Sequence, residues 1–79
     1  MAKQYRFFAT ITEANVTRVL REVVGDFDDA IRAYDGYMVI MRQMKNFREN
    51  MASLAHGYAL EAFRGDGARV FATLKAVEE

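Results

Sequence analysis

The sequence predicts an α+β fold, a four-stranded antiparallel sheet with two helices on one face. Three observations carry this. Residues 4–11 and 70–74 are rich in aromatic and β-branched types and read as strands. Two stretches, opening at Thr12 and Asn46, combine a capping residue with apolar positions at helical spacing. Between them, Asp35-Gly36 separates two apolar runs and suits a tight hairpin turn, where both central residues take positive φ.

In the first strand Tyr5, Phe7, Ala9 and Ile11 share one face, and Arg6, Phe8 and Thr10 the other. Thr12 then caps a helix with Glu13 in its first turn; Val16, Val19, Leu20, Val23 and Val24 form its apolar stripe and Gly25 stops it. Ile31, Tyr34, Met38 and Met41 would also suit one long helix, but the Asp35-Gly36 turn favours a hairpin over residues 30–42. That hairpin pairs Tyr34 with Tyr37 and Arg32 with Val39 on one face, and Ala33 with Met38 and Ile31 with Ile40 on the other. Asn46 and Glu49 match a capping box, and Phe47, Met51, Leu54, Ala55, Tyr58 and Ala62 make the apolar arc of a second helix ending at Gly65. Val70 to Leu74 complete the order β-α-β-β-α-β. This order resembles the split βαβ pattern of ferredoxin-like folds; an all-α bundle is the alternative if the hairpin fails.

At 79 residues the chain is a single domain over residues 1–79, with no linker, repeat or low-complexity tract. Domains of this size bury only roughly 60–65% of their unfolded surface, so the core is small. With 52% apolar and 28% charged residues at zero formal net charge, charge-driven disorder is excluded. The absence of Cys removes disulfides and thiolate metal sites and fits a reducing, cytoplasmic setting. No apolar run approaches the ~20 residues of a membrane span, and no leader pattern opens the chain.

On this fold the open sheet face carries Arg6, Phe8, Thr10, Arg32, Tyr34, Tyr37, Val39, Met41, Arg69, Phe71, Thr73 and Lys75: four cations, four aromatics and no carboxylate. Arg6, Phe8, Arg32, Tyr34, Tyr37, Arg69, Phe71 and Lys75 are the candidate binding residues. A secondary patch of His56, Leu60 and Phe63 lies on the second helix, away from its core arc. Exposed apolar surface of this kind marks contact with a partner. A protein target is the leading expectation, including one within a host nucleoprotein complex. Self-association of two stacked sheets, giving a homodimer, is the second, and single-stranded nucleic acid on the aromatic and basic face the third. RNA-recognition modules share the topology, but their Gly-aromatic central-strand signature is missing from residues 37–42. A dimeric small-molecule sensor is a further alternative.

Catalytic and metal chemistry find little footing. His56 is the only histidine, and the sole serine, Ser53, stands three residues before it without an orienting acid. Asp26, Asp28 and Asp29 lack calcium-loop spacing. Arg64-Gly65-Asp66 reads as part of a turn, and Asn15-Val16-Thr17 as a chance glycosylation match. No catalytic residue, metal or cofactor is predicted. In format alone (compact, motif-poor, one domain) the chain resembles small phage-encoded inhibitors of the anti-CRISPR type. That resemblance implies a stoichiometric inhibitor of a larger complex and assigns no residue.

Overall fold

The computed structural model describes residues 3–53 and 57–77. Five strands and one helix follow in order: β1 (Tyr5–Glu13), β2 (Val16–Gly25), α1 (Phe27–Met41), β3 (Lys45–Ser53), β4 (Gly57–Phe63) and β5 (Arg69–Ala76). The strands form one sheet in the order β2-β1-β5-β4-β3, with every neighbouring pair antiparallel. The chain is α+β overall, but the four-stranded ferredoxin-like arrangement with two helices is overturned, as is the all-α alternative.

The first and last strands form where the sequence places them. Phe7, Ala9 and Ile11 of β1, and Val70, Ala72 and Leu74 of β5, are buried on one face. Leu60 and Ala62 of β4 extend that face, and Ala30, Tyr34 and Met41 of α1 close over it. Alanines at positions 9, 30, 62 and 72 leave room for the larger Phe7, Tyr34, Leu60 and Leu74. Each large apolar side chain buried this way contributes about 1.5–3 kcal/mol.

Residues 12–25 are a hairpin and not a helix. Ala14 and Asn15 both take positive φ, 48° and 66°, as a two-residue type I′ turn requires. β2 then runs back along β1, with a bulge at Leu20. The apolar positions of β2 fit a helical period, but four β-branched valines favour extended backbone. β2 is an edge strand whose faces are largely exposed, so burial imposes no strict alternation on it.

The predicted hairpin at Asp35-Gly36 is instead the middle of α1. Asp26 caps that helix, its carboxylate accepting from the Asp29 N–H at 2.9 Å, and Asp28 and Asp29 sit favourably in the first turn. Gly36 costs about 1 kcal/mol in a helix, less than the burial of Ala30, Tyr34 and Met41 returns. The pairings expected across that turn do not exist. The predicted second helix is also replaced, by the β3–β4 hairpin, in which Tyr58, Leu60 and Ala62 alternate inward at the strand period. Leu54 and Ala55 of the expected arc lie outside the described residues.

Candidate protein-docking surface

α1 lies on one face of the sheet; among the described residues nothing covers the other. Five of the predicted binding residues meet there. Arg6 and Phe8 come from β1, and Arg69, Phe71 and Lys75 from β5, with Arg6 opposite Lys75 and Phe8 opposite Thr73. The other three do not join them, because they ride on α1. Tyr34 is buried in the core, Tyr37 is half-buried against Phe7 with ring centroids 5.2 Å apart, and Arg32 is exposed on the helix. The secondary patch divides as well. Leu60 is fully buried, Phe63 is half-buried at the end of β4 opposite Arg69, and His56 lies outside the described residues.

The expected absence of carboxylates from this face is corrected by β2 and β4. Glu22 stands opposite Phe8 and Glu61 opposite Phe71. Arg6 Nε donates to Glu22 at 2.6 Å, and Arg69 Nε to Glu61 at 2.6 Å. The same guanidinium groups lie over rings, Arg6 at 4.4 Å from the Phe8 centroid and Arg69 at 4.8 Å from that of Phe71. Each cluster is thus a ring, a cation stacked on it and a carboxylate holding the cation in place. Lys75, Arg48 and Lys45 make no ion pair among the described residues and leave the surround of these clusters positive.

The two clusters are related. Arg6-Phe7-Phe8-Ala9-Thr10-Ile11 and Arg69-Val70-Phe71-Ala72-Thr73-Leu74 are variants of one six-residue string. Their strands are antiparallel neighbours with Phe8 opposite Thr73 and Thr10 opposite Phe71, so a local two-fold axis normal to the sheet relates them. Glu22 and Glu61 obey the same axis from the flanking strands. The expectation of no repeat is therefore corrected. The string is far shorter than the 20–50-residue periods of repeat architectures, and only the pairing of β1 with β5 makes the two copies one surface.

Further exposed apolar side chains lie on β2 and α1, and of these only Val39 is among the residues expected at the surface. Val16, Val19, Leu20 and Val24 are 44–60% exposed on β2, and Val39 and Ile40 are as exposed on α1. The signal for the β2 part is the valine-rich stretch of residues 16–24, whose apolar spacing also fits a helix.

At one end of the sheet, Arg64 donates to Asp66 at 2.6 Å and to Glu13 at 2.8 Å, and Arg18 reaches Glu13 at 2.9 Å. The Arg64 hydrogen bond, reinforced by the Ala68 N–H, holds the Asp66 carboxyl down at about 2. The arginine and aspartate of the Arg64-Gly65-Asp66 turn thus bind each other. In the core, burial pushes the Tyr34 phenol up to about 12, with Glu49 and Asp35 adding to the rise, and its hydroxyl has no hydrogen-bond partner among the described residues. No cluster of three metal-ligating side chains occurs among the described residues, and no helix there is long and apolar enough to cross a membrane. Comparison with known protein families, curated proteins and solved structures finds no match to this chain.

Proposed function

We propose that the chain is a non-enzymatic protein-binding module that acts stoichiometrically, as an inhibitor or adaptor on a larger complex. Its docking surface is the open face of β1 and β5. One observation carries the reading: Phe8 and Phe71 stand on an uncovered sheet face with their rings already capped by Arg6 and Arg69, which Glu22 and Glu61 hold in place. A nucleic acid that stacked bases there would have to displace both guanidinium groups and break both ion pairs. A protein surface can pack on the capped rings as they stand, and Arg and aromatic side chains are the types that dominate protein interfaces. The lack of cysteine suits action in the cytoplasm.

Affinity capture from the native host tests this, comparing the wild type with the Phe8→Ala/Phe71→Ala variant. Truncating interface aromatics costs about 1–2 kcal/mol or more each, so the variant is expected to lose its partner at least about tenfold. Undiminished capture by a folded double variant overturns the open-face reading. Titration with single-stranded RNA and DNA at two salt concentrations addresses the competing ligand. Four phosphate contacts would give a log–log salt slope near −3, whereas no binding is expected.

A further inference from the structure

The outer edge of β2, we infer, is a strand-addition site for an extended segment of a partner protein, with acidic side chains toward α1 and apolar ones on the opposite side. The inference deepens the protein-binding reading, on which it rests, but uses different residues from the open face.

β2 is the last strand of the sheet, so among the described residues the N–H and C=O groups along its outer side have no strand to pair with. An extended chain laid along it satisfies them and gains main-chain hydrogen bonds. The bulge at Leu20 interrupts that outer ladder. A straight strand therefore pairs along Arg21 to Gly25 and meets the exposed Leu20 where the bulge begins.

Side-chain chemistry along this stretch differs between the two faces. On the open side Val24 is 53% exposed and offers an apolar contact. On the helix side Arg21 and Val23, opposite Ala9 and Phe7, form one wall of a groove of about 460 Å³ whose other wall is α1, with Arg32, Tyr37 and Ile40. Asp29 is the one carboxylate lining that groove. Arg21 and Arg32 form no ion pair among the described residues, in contrast to Arg6, Arg18, Arg64 and Arg69. The groove thus mixes apolar side chains with two guanidinium groups against one carboxylate, a lining of net positive charge. Its complement is a strand whose helix-side residues are acidic, with aliphatic stems along Val23 and Ile40.

A second copy is a poorer occupant, because the helix-side residues of its own β2 are Arg18, Arg21 and Val23, basic where this groove calls for acid.

The test uses the full chain, isotope-labelled for NMR, and three blocked decapeptides. One alternates Glu and Val, one alternates Lys and Val, and one carries five Glu followed by five Val. The Glu–Val alternation is expected to shift the amides of residues 20–25 and of Arg32, Tyr37 and Ile40, and to slow exchange along β2. The other two peptides are expected to bind at least about tenfold more weakly. Arg21→Glu/Arg32→Glu, both exposed positions, should keep the dispersed spectrum of the fold and reverse the preference toward Lys–Val. Three results overturn the proposal: no shift on β2, equal binding of both alternating peptides, or shifts confined to Phe8 and Phe71. A peptide-free dimer, seen by sedimentation and joined along β2, overturns it in favour of a second copy. Peptide failure alongside a partner lost by the Phe8/Phe71 variant removes this proposal alone. Peptide binding alongside undiminished capture by that variant removes only the open-face reading.

Discussion

Among the described residues the sheet ends in two unpaired edges, and they differ in chemistry. β3 presents Lys45, Asn46, Arg48, Glu49 and Asn50 to solvent, and its one described aromatic, Phe47, packs toward the core. Its pairing with β4 is irregular in two places, and Asn46 sits at positive φ. These are the devices by which proteins blunt an edge against unwanted pairing. β2 is ten residues long, pairs regularly except at one bulge, and exposes Val16, Val19, Leu20 and Val24. β2 is guarded only in part, by that bulge and by Arg18, Arg21 and Glu22, and an edge that keeps four exposed apolar residues is an aggregation hazard unless a contact uses it.

The largest expected effect tests whether both edges hang on one core. Phe7 is fully buried between Val23 of β2 and Leu74 of β5, against Tyr37. Phe7→Ala should cost about 3–5 kcal/mol in chemical denaturation and unfold both edges together. Amide exchange that released the β2 side while β4 and β5 stayed protected would break the sheet into independent halves.

Next comes the contrast itself. Replacing Lys45, Arg48 and Asn50 by Val should give β3 the character of β2, and light scattering should detect association at concentrations where the wild type stays dispersed. Val19→Lys/Leu20→Lys should leave stability within about 0.5 kcal/mol, because both side chains are largely exposed. A fall of several kcal/mol would mean that β2 is structural and not a contact surface.

A smaller effect sharpens the β3–β4 side. Gly57 opens β4 at φ +90°, where an L side chain is strained whatever the space around it. Gly57→Ala should cost about 1–2 kcal/mol by thermal or chemical denaturation.

The last prediction concerns the turns joining β1 to β2 and β4 to β5. The Asp66 carboxyl is held at about 2, below its unfolded value, so the stability it contributes is present above ordinary carboxylate pKa values. It is lost as pH falls through about 2. NMR titration should place its midpoint there, and Arg64→Gln should raise it toward the usual range. An unchanged midpoint would remove Arg64 as the cause.

What could be read in advance follows burial. β1 and β5 are central strands with one face under a helix and one open, so their side chains alternate, and strand and inner face are visible from residues 4–11 and 70–74. Arg6, Phe8, Arg69, Phe71 and Lys75 were legible as a surface for that reason. Tyr34 and Tyr37 were misplaced because Asp35-Gly36 has the chemistry of a turn, whereas both residues lie within α1. There the burial of Ala30, Tyr34 and Met41 outweighs one poor helix former. In β4, Tyr58 and Ala62 satisfy both a four-residue helical step and a two-residue strand step, and Leu60 between them decides only once a neighbouring strand exists.

The amino-acid order alone determined two half-buried strands, over residues 4–11 and 70–74, and cations beside rings on their outer side. Alternation under a covering layer is a local code, and it needs no distant contact to be recognised. Tertiary structure decided the rest. It made β2 a strand, joined two copies of one short string into a two-fold surface, and brought Glu22 and Glu61 to the arginines. The reason is physical: an edge strand has little burial to imprint a period on it, and an ion pair between strands exists only after their register is set.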